Sequence, residues 1–431
     1  MRRALPTTWT AMIGSTAFGV LVAAVFTLEG SPARAGGLYV NEFATSSMGS
    51  AGAGQEAYAN DASTAFAFHN PAGMTRLEGH HVSAGAGLLI GTTKFDADDN
   101  TPFSGGNGGD QAGLAPLLGS YGMLSLTDDL KLGMSVFSIS GASLDPSNDW
   151  TGRFQNQEIN LLTMTANPSA AYRVTDWLSV GAGFIAMYAD LDFKLAAPPV
   201  NPPAGGQGRV KIDGNDWAYG YNLGALVELS PQTRVGLIYT SKVEPDFSGD
   251  LDVRTGGGAA FSSDSNLKFT FPQAVRAGVY HDLTDQWALL GSVGWEDWSS
   301  FNSLDVSTDQ GGQSIETNWR DTYHFSGGVH YRPTSDWLLQ TGVTYDTSPV
   351  SDGNRTANLP LDRQIRVAIG AQHTLTDRMT IGGAFEYIDL GDARIDSPTL
   401  RGDFQQNHAF AFALNINYQF GTDSLFGSNN D

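Results

Sequence analysis

The clearest pattern in the sequence is a strict alternation of residue types near its carboxyl end. The even positions carry large apolar residues: Phe410, Phe412, Leu414, Ile416, Tyr418 and Phe420. The odd positions between them carry only Ala, Asn or Gln. A period of two predicts a β-strand with one face in apolar surroundings. Because the other face is polar and small, it suits a water-filled lumen better than the core of a sandwich.

Short polar turns recur along the chain and divide it into hairpins. They lie roughly 40 to 55 residues apart and contain the Thr, Ser and Asp residues that favour tight turns, at 126–130, 174–177, 229–232, 283–287, 333–337 and 375–379. Longer connections rich in Gly, Pro and Asp lie between them. Short turns at one end and long loops at the other are typical of a transmembrane β-barrel. A strand on each side of every turn and one at each chain end give 14 strands, so the sequence predicts an all-β, 14-stranded antiparallel barrel.

The amino-terminal residues divide into two predicted segments. Residues 1–35 have a basic start, an apolar run and an Ala-x-Ala site, as a secretory signal peptide does. Residues 36–78 are rich in Gly, Ala and Ser, and we expect them to form a plug inside the lumen because small side chains pack closely against barrel walls. Asn70, Pro71 and Ala72 would form its gate, since Pro closes a segment and restricts the residue before it.

Residues 79–420 are predicted to form the barrel, and residues 421–431 a tail beyond Phe420. Trp177, Trp287 and Trp337, each beside a short turn, fit an aromatic girdle at one membrane interface. The chain has no cysteine, so a secreted protein of this size must depend on a large fold rather than on disulfides. Its formal net charge of −21 argues against nucleic acid as a partner.

Signals for chemistry are weak, and the sequence predicts no catalytic, metal or cofactor site. Asp96 to Asn100 begin like a calcium loop, but Thr101 and Asn107 stand where that loop needs Gly and Glu. An enzyme alternative is an outer-membrane lipid hydrolase, because His81 and Ser83 share one face of a predicted strand. A gated porin for small solutes is a further alternative, although an open pore needs no plug.

Several segments of the chain resemble, in order, the FadL family of outer-membrane transporters for long-chain fatty acids and other hydrophobic compounds. At the amino terminus these are NEF (41–43), NDAS (60–63) and NPAGM (70–74). Farther along they are GNDWAYGYNLGALVEL (214–229), YTSKVEPDFSGDL (239–251), DTSPVSDGNRTANLPLDR (346–363) and NINYQF (415–420). The resemblance implies a 14-stranded barrel with an amino-terminal hatch.

The resemblance also implies ligand-binding residues. Leu38 stands where the family tends to place a Phe within the ligand pocket, which preserves an apolar contact. Arg153 and Arg320 lie where the family places polar pocket residues. We expect one of these arginines to meet a fatty-acid carboxylate, because burying that group unpaired is costly. Either arginine would otherwise form an ion pair inside the barrel.

The third strand changes phase in its middle. Leu130, Leu132, Met134 and Val136 place apolar residues on even positions, whereas Phe137 and Ile139 place them on odd positions. A one-residue slip inverts both faces unless a bulge absorbs it. The family has an inward kink here that opens a lateral portal, so Ser138, Ser140 and Gly141 are predicted to line the opening, with Phe137 and Ile139 contacting the ligand. The strand could instead simply leave the membrane at this point.

Together these features predict passive uptake of long-chain fatty acids or related hydrophobic compounds. The predicted location is the outer membrane of a Gram-negative bacterium. We expect a monomer in contact with outer-membrane lipid and lipopolysaccharide.

Overall fold

A computed structural model describes residues 42, 44–64, 69–138, 141–197, 207–256, 260–309, 311–421 and 425. The predicted signal peptide, Leu38, Ile139, Ser140 and most of the predicted tail lie outside these residues. Within the part of the chain that is described, no helix is long and apolar enough to span a bilayer.

The described chain forms a closed antiparallel β-barrel of 14 strands, which confirms the predicted fold class. Five strands are each split into two segments. The bounds are β1 His80–Ala97, β2 Leu114–Ser125, β3 Leu130–Phe137 and Gly141–Leu144, β4 Glu158–Thr175, β5 Leu178–Ala197, β6 Gly208–Ser230, β7 Thr233–Thr240 and Asp246–Arg254, β8 Ala260–Lys268 and Ala274–Asp282, β9 Trp287–Glu296 and Ser303–Thr308, β10 Gly311–Glu316 and Thr322–Tyr331, β11 Trp337–Asp346, β12 Gln364–Thr376, β13 Met379–Asp389 and β14 Arg401–Phe420.

Consecutive strands pair with each other, and the first strand closes the ring on the last. The β1–β14 ladder extends from His80 opposite Phe420 to Ala97 opposite Gly402. Closure matters because an open sheet edge would leave backbone groups without partners in the hydrocarbon. The six short turns predicted from sequence join β2–β3, β4–β5, β6–β7, β8–β9, β10–β11 and β12–β13.

The two faces of the wall follow the alternation in the sequence. On β14, Leu414 is 72% exposed and Phe412 48%, whereas Ala411 and Ala413 are buried. Trp177, Trp287 and Trp337 are exposed beside short turns at the same end of the barrel, as an aromatic girdle requires.

Short helical turns fill part of the lumen. They are a 3₁₀ turn at Met48–Ser50, the four-residue α-helix α1 at Gln55–Tyr58 and a 3₁₀ helix at Pro71–Arg76. Nearly all described residues from 44 to 77 are buried, and they contact the inner faces of the wall strands. We call residues 42, 44–64 and 69–78 the plug segment. A further 3₁₀ turn, Trp298–Ser300, lies between the two segments of β9.

The lipid-facing position of Leu414 yields the first prediction. Leu414 lies about 16 Å from the periplasmic end of β14, near the bilayer midplane, at ~3.4 Å per residue and ~40° tilt. We expect Leu414→Arg to lower the free energy of unfolding by about 2–4 kcal/mol, because a cation is placed in hydrocarbon. Denaturant unfolding in phospholipid vesicles measures this change.

The control is Leu414→Ala, which removes apolar area without adding charge and should cost less. Equal stability of the Arg variant and the parent would contradict a lipid-facing position.

Candidate functional site

The plug segment lies directly against the barrel wall where the wall carries glycine. A Cβ added to Gly236 would collide with the carbonyl oxygen of Glu56, and one added to Gly224 would collide with the Asn70 side chain. A Cβ added to one of four further wall glycines would likewise collide with the plug backbone: Gly85, Gly181, Gly342 and Gly370. The absence of side chains at these wall positions is what lets the plug backbone approach the wall.

Asn70 joins the plug to itself and to the wall. Its Oδ1 accepts a hydrogen bond from the Ala72 backbone N–H (3.1 Å), which caps the 3₁₀ helix that begins at Pro71. Its Nδ2 donates to the carbonyl oxygens of Glu56 (2.9 Å) and Ala225 (2.8 Å), the second of which belongs to β6. Asn70, Pro71 and Ala72, the predicted gate, are fully buried at this junction.

Charged side chains of the wall hold the plug at further points. Arg366 on β12 donates to the Glu42 carboxylate (2.6 Å) and to Asp346 on β11 (2.7 Å). Arg234 on β7 donates to the carbonyl oxygens of Ala57 (2.6 Å) and Tyr58 (2.8 Å). These buried pairs matter because removing one partner leaves the other charged or polar group unpaired.

Tyr58, the last residue of α1, is fully buried among polar and aromatic side chains of the wall. Gln372 donates to its hydroxyl oxygen (3.2 Å), and its ring stacks on Tyr280 at 5.7 Å between centroids. Burial raises the pKa of the Tyr58 hydroxyl above its ordinary range, and the nearby Asp61 carboxylate adds to this effect. The hydroxyl therefore stays neutral at physiological pH.

An apolar cavity of about 250 Å³ lies inside the barrel. Its apolar lining comes from six wall strands and their loops, and includes Phe154, Ile159, Leu161, Leu191, Phe193, Leu195, Phe247, Leu267, Phe269, Phe301, Leu304, Ile315, Trp319 and Leu359. Its polar lining is Gln155, Glu316, Thr317, Asn354, Thr356 and Asn358. Concave, mostly apolar sites with a few polar groups are the usual form of small-molecule sites.

The cavity belongs to a longer apolar cluster. Buried side chains in mutual contact connect cavity residues such as Phe193 and Phe269 with Phe137 on β3 and with Met74 and Leu77 of the plug segment. Phe137 stacks on Tyr121 of β2 with 6.3 Å between ring centroids. Apolar contacts thus extend from the cavity to the carboxyl end of the plug.

The pairing of β3 is broken next to Phe137. The β2–β3 ladder ends at Gly119 opposite Phe137, and among the described residues Leu114 to Leu118 pair only with β1. On the other side of β3, Phe137 pairs with Thr165 of β4 and Gly141 pairs with Leu162. Gly141 is four residues after Phe137, but Leu162 is only three residues from Thr165, so β3 contains one extra residue. Beyond the break, the Asp145 N–H donates to the Gln111 carbonyl oxygen (2.9 Å). The wall between β2 and β3 therefore has a bounded gap that contains Ser138.

The two predicted arginines lie beside the cavity rather than in its lining. Arg153 donates to Gln207 (2.7 Å) and to the Ser104 carbonyl oxygen (2.7 Å), and its guanidinium lies 4.6 Å from the ring of Phe154, which does line the cavity. Arg320 is exposed and donates to the Ser348 carbonyl oxygen (3.0 Å); the preceding residue, Trp319, lines the cavity.

The residues of the enzyme alternative do not contact each other through a hydrogen bond. His81 Nε2 is 2.7 Å from the Glu78 carbonyl oxygen, and the buried Ser83 hydroxyl has no hydrogen-bond partner within the described chain. This geometry does not favour a nucleophile and base pair.

None of the predicted ligand-binding residues is among the described residues that line the cavity. A signal was present, because Ile159 and Leu161 on β4 and Leu191 and Phe193 on β5 are apolar at lumen-facing positions. The lumen-facing positions of β14 from 407 to 419 carry only Asn, Ala or Gln. Inward-facing apolar residues on adjacent strands mark an apolar patch in a polar lumen.

The contacts of Asn70 yield the second prediction. Asn70→Ala should leave a folded barrel but loosen the plug by about 1–3 kcal/mol, because two buried carbonyl oxygens lose their donor. We expect a higher ion conductance in planar bilayers. The control is Glu78→Gln, at an exposed position in the same segment. Parental conductance in the Asn70 variant would contradict an anchoring role.

Comparisons with known proteins agree with this architecture. The family model for outer membrane protein transport proteins (OMPP1/FadL/TodX) matches residues 26–420. The long-chain fatty acid transport protein of Salmonella typhi is 28% identical, with 94% of this chain and 98% of that protein covered. Its counterpart in Escherichia coli K12 is 26% identical, with 93% and 98% covered.

Solved structures show the same fold. A Pseudomonas aeruginosa FadL homologue is similar with a TM-score of 0.82 at 19% identity, covering 90% of this chain and 100% of that one. The Pseudomonas putida toluene transporter TodX is similar with a TM-score of 0.62 at 17% identity, covering 81% and 92%. The match of the family model over most of the barrel places this chain in the outer-membrane OMPP1/FadL/TodX family of transport proteins.

Proposed function

We propose that the protein is a passive channel that binds long-chain fatty acids or related hydrophobic compounds in its apolar cavity and releases them sideways through the gap in β3. The observation that supports this most is the cavity itself, a chamber inside the barrel whose lining is mostly aromatic and aliphatic. A porin for polar solutes has no use for such a chamber.

The composition of the cavity supports a hydrophobic solute. Aromatic and branched aliphatic side chains dominate its surface, and burying apolar area against them is favourable by about 25 cal/mol per Å². Relatives include proteins named for long-chain fatty acid transport and for toluene transport, so the solute class extends from acyl chains to small aromatic molecules.

The contacts of the plug segment favour an exit through the side of the barrel, above its periplasmic end. Its backbone contacts wall glycines on several sides, and Arg366, Arg234 and Asn70 hold it with buried hydrogen bonds. A direct axial path would have to break these contacts. The gap between β2 and β3 lies at Phe137, which belongs to the same apolar cluster as the cavity.

The hydrogen bonding of the backbone at the gap also favours an opening. A backbone N–H or C=O group without a partner is costly in hydrocarbon unless water or another part of the protein binds it. A break in the ladder is therefore expected at an opening that contains water as well as the solute. Ser138 and Gly141 offer little side-chain bulk there, and with the predicted Ser140 they would leave room for an acyl chain.

Arg153 and Arg320 would serve the carboxylate of a fatty acid at the outer margin of the cavity. Each is one residue from an aromatic lining residue, Phe154 and Trp319 respectively. Leu38 and Ile139 would add apolar contacts to the solute. We expect the channel to work as a monomer surrounded by outer-membrane lipid and lipopolysaccharide.

The cavity yields the third prediction. Phe269→Asn should weaken binding of a fluorescent long-chain fatty acid about tenfold, because lost apolar contact worth ~1.4 kcal/mol corresponds to that factor. Equilibrium titration of the purified protein measures the change. The matched control is Phe261→Asn on the same strand, where the side chain is 43% exposed. Equal loss in both variants would contradict binding in the cavity.

The gap in β3 yields the fourth prediction. Ser138→Trp and Gly141→Trp should lower uptake of labelled fatty acid by about tenfold, because bulky rings fill the opening. Cells that lack their own transporter provide the assay, and heat-modifiable gel migration checks folding. Ser262→Trp, at an exposed position of β8, is the control. Folded Trp variants that transport at the parental rate would rule out this route.

A further inference from the structure

The ladder between β6 and β7 is complete at both ends and open in the middle. Pairing extends from Ser230 opposite Thr233 to Asn222 opposite Thr240, and resumes from Asn215 opposite Ser248 to Arg209 opposite Arg254. Between these ladders, residues 216–221 of β6 face residues 241–247, so the β7 side has one residue more. Such a bulge bends a strand away from its neighbour.

Two hydrogen bonds limit the opening. At its lower end the Ser241 N–H donates to the Tyr221 carbonyl oxygen (2.9 Å). At its upper end the Asp246 N–H donates to the Asp216 carboxylate (2.8 Å). Every second residue of an antiparallel strand turns its N–H and C=O toward the same neighbour. Trp217 and Tyr219, which follow the phase of Tyr221, therefore turn theirs toward the gap, where the described pairing places no β7 residue opposite them.

A recess of about 640 Å³ occupies this gap. Both faces of β6 line it: Trp217, Tyr219 and Tyr221 from the outer face, which are 48%, 61% and 48% exposed, and Ala218 and Gly220 from the inner face. A recess lined by both faces of one strand extends into the thickness of the wall. Its remaining lining is polar apart from Tyr239: Ser241, Lys242, Glu244, Gln273, Asp297 and Ser300.

One layer of apolar side chains joins the recess to the inner cavity. Val243, in the segment opposite β6, exchanges two backbone hydrogen bonds with Phe271 (2.9 and 3.1 Å). The ring of Phe271 lies 4.9 Å from that of Phe269, which lines the apolar cavity. Ala218, Val243 and Phe271 are all buried in the same apolar cluster as the cavity residues.

The recess lies at the level of the outer leaflet. Tyr221 is eight residues above the turn residue Leu229 and Trp217 is twelve, which places them about 20 and 30 Å above the periplasmic end at ~3.4 Å per residue and ~40° tilt. An apolar band about 25 Å tall ends between these two levels. The recess therefore joins the hydrocarbon to the polar headgroup region.

We propose that this recess is a second lateral site for the solute, separate from the gap in β3, where a molecule exchanges between the outer leaflet and the inner cavity. The inference rests on the proposed function. The ligand class is an unbranched or flat hydrophobic molecule with one small polar end. The rings of Trp217 and Tyr219 contact the hydrocarbon, and the Lys242 ammonium, which also pairs with Glu244 (2.9 Å), contacts the polar end.

The absence of cysteine from the chain allows a direct test by cross-linking. A Cβ on Gly220 would lie 2.7 Å from Ser241 Oγ and 2.9 Å from Val243 Cγ2, so Gly220→Cys with Ser241→Cys places two thiols within disulfide reach. The disulfide fixes the β7 segment against β6 at the lower end of the recess, so that the two strands cannot separate there to admit a solute. The matched control is Ala225→Cys with Leu237→Cys, which face each other in the intact ladder below.

The probe is hexadecanoic acid with a photoreactive diazirine in its chain, and mass spectrometry locates the adducts. In the parent we expect adducts in the recess segment 239–244 and in the cavity segment 267–271. Oxidation of the Gly220/Ser241 pair should lower recess adducts and cellular uptake by at least about fivefold, and reduction should restore both. The Ala225/Leu237 pair should change neither measurement.

The other outcomes separate this inference from the proposed function. Cavity adducts without recess adducts overturn the second site and leave the proposed function standing. Absence of competable adducts in both segments overturns the two together. Recess adducts that unlabelled hexadecanoic acid does not displace, and that a diazirine phospholipid reproduces, identify a bound membrane lipid and overturn the second site. Parental uptake in the oxidised Gly220/Ser241 pair overturns its role in exchange.

Discussion

Pairing of backbone hydrogen-bonding groups inside a bilayer is the constraint on which the rest of this structure depends. No water competes for N–H and C=O groups in the hydrocarbon, so a β-protein must close its sheet on itself. The β1–β14 ladder does this over nearly the full height of the wall. Once the ladder is closed, alternate side chains must face lipid and lumen, and any unpaired stretch of wall must be served by water, polar side chains or protein.

The same constraint applies to two of the places where the described wall ladder is open. One lies between β2 and β3 at Phe137, and the other lies between β6 and β7 at residues 216–221. Each contains one extra residue on one strand, and each adjoins the apolar cluster that includes the inner cavity. Both breaks therefore adjoin the apolar interior of the barrel.

The plug segment is held by a different kind of interaction. Its small residues fit against wall glycines, and its firmest connections are discrete buried polar contacts, such as Arg366 with Glu42 and Asn70 with the carbonyl oxygens of Glu56 and Ala225. Breaking a buried ion pair by removing one partner costs about 3–5 kcal/mol. A few contacts of this size can hold a short segment inside the lumen without the large apolar interface that a separate domain would need.

The sequence by itself determined the barrel, its 14 strands, its lipid-facing residues and its membership in a transport family. It could do so because period-two alternation and short turns are local properties that each strand expresses independently. The phase change at Phe137 was also visible in the sequence, since a bulge shifts the alternation of its own strand.

Only the tertiary structure decided which residues form the cavity and the recess. Leu161, Phe269 and Trp319 come together from distant strands and loops, and no local pattern specifies that meeting. It also decided that Arg153 and Arg320 lie beside the cavity, because loop side chains take their positions from contacts such as Gln207 and Ser348. The break between β6 and β7 left no phase change in β6, because the extra residue lies on the β7 side. In β7 apolar residues occupy both faces, as the adjacent Leu237 and Ile238 do, so the alternation of the sequence does not locate the break and only the structure does.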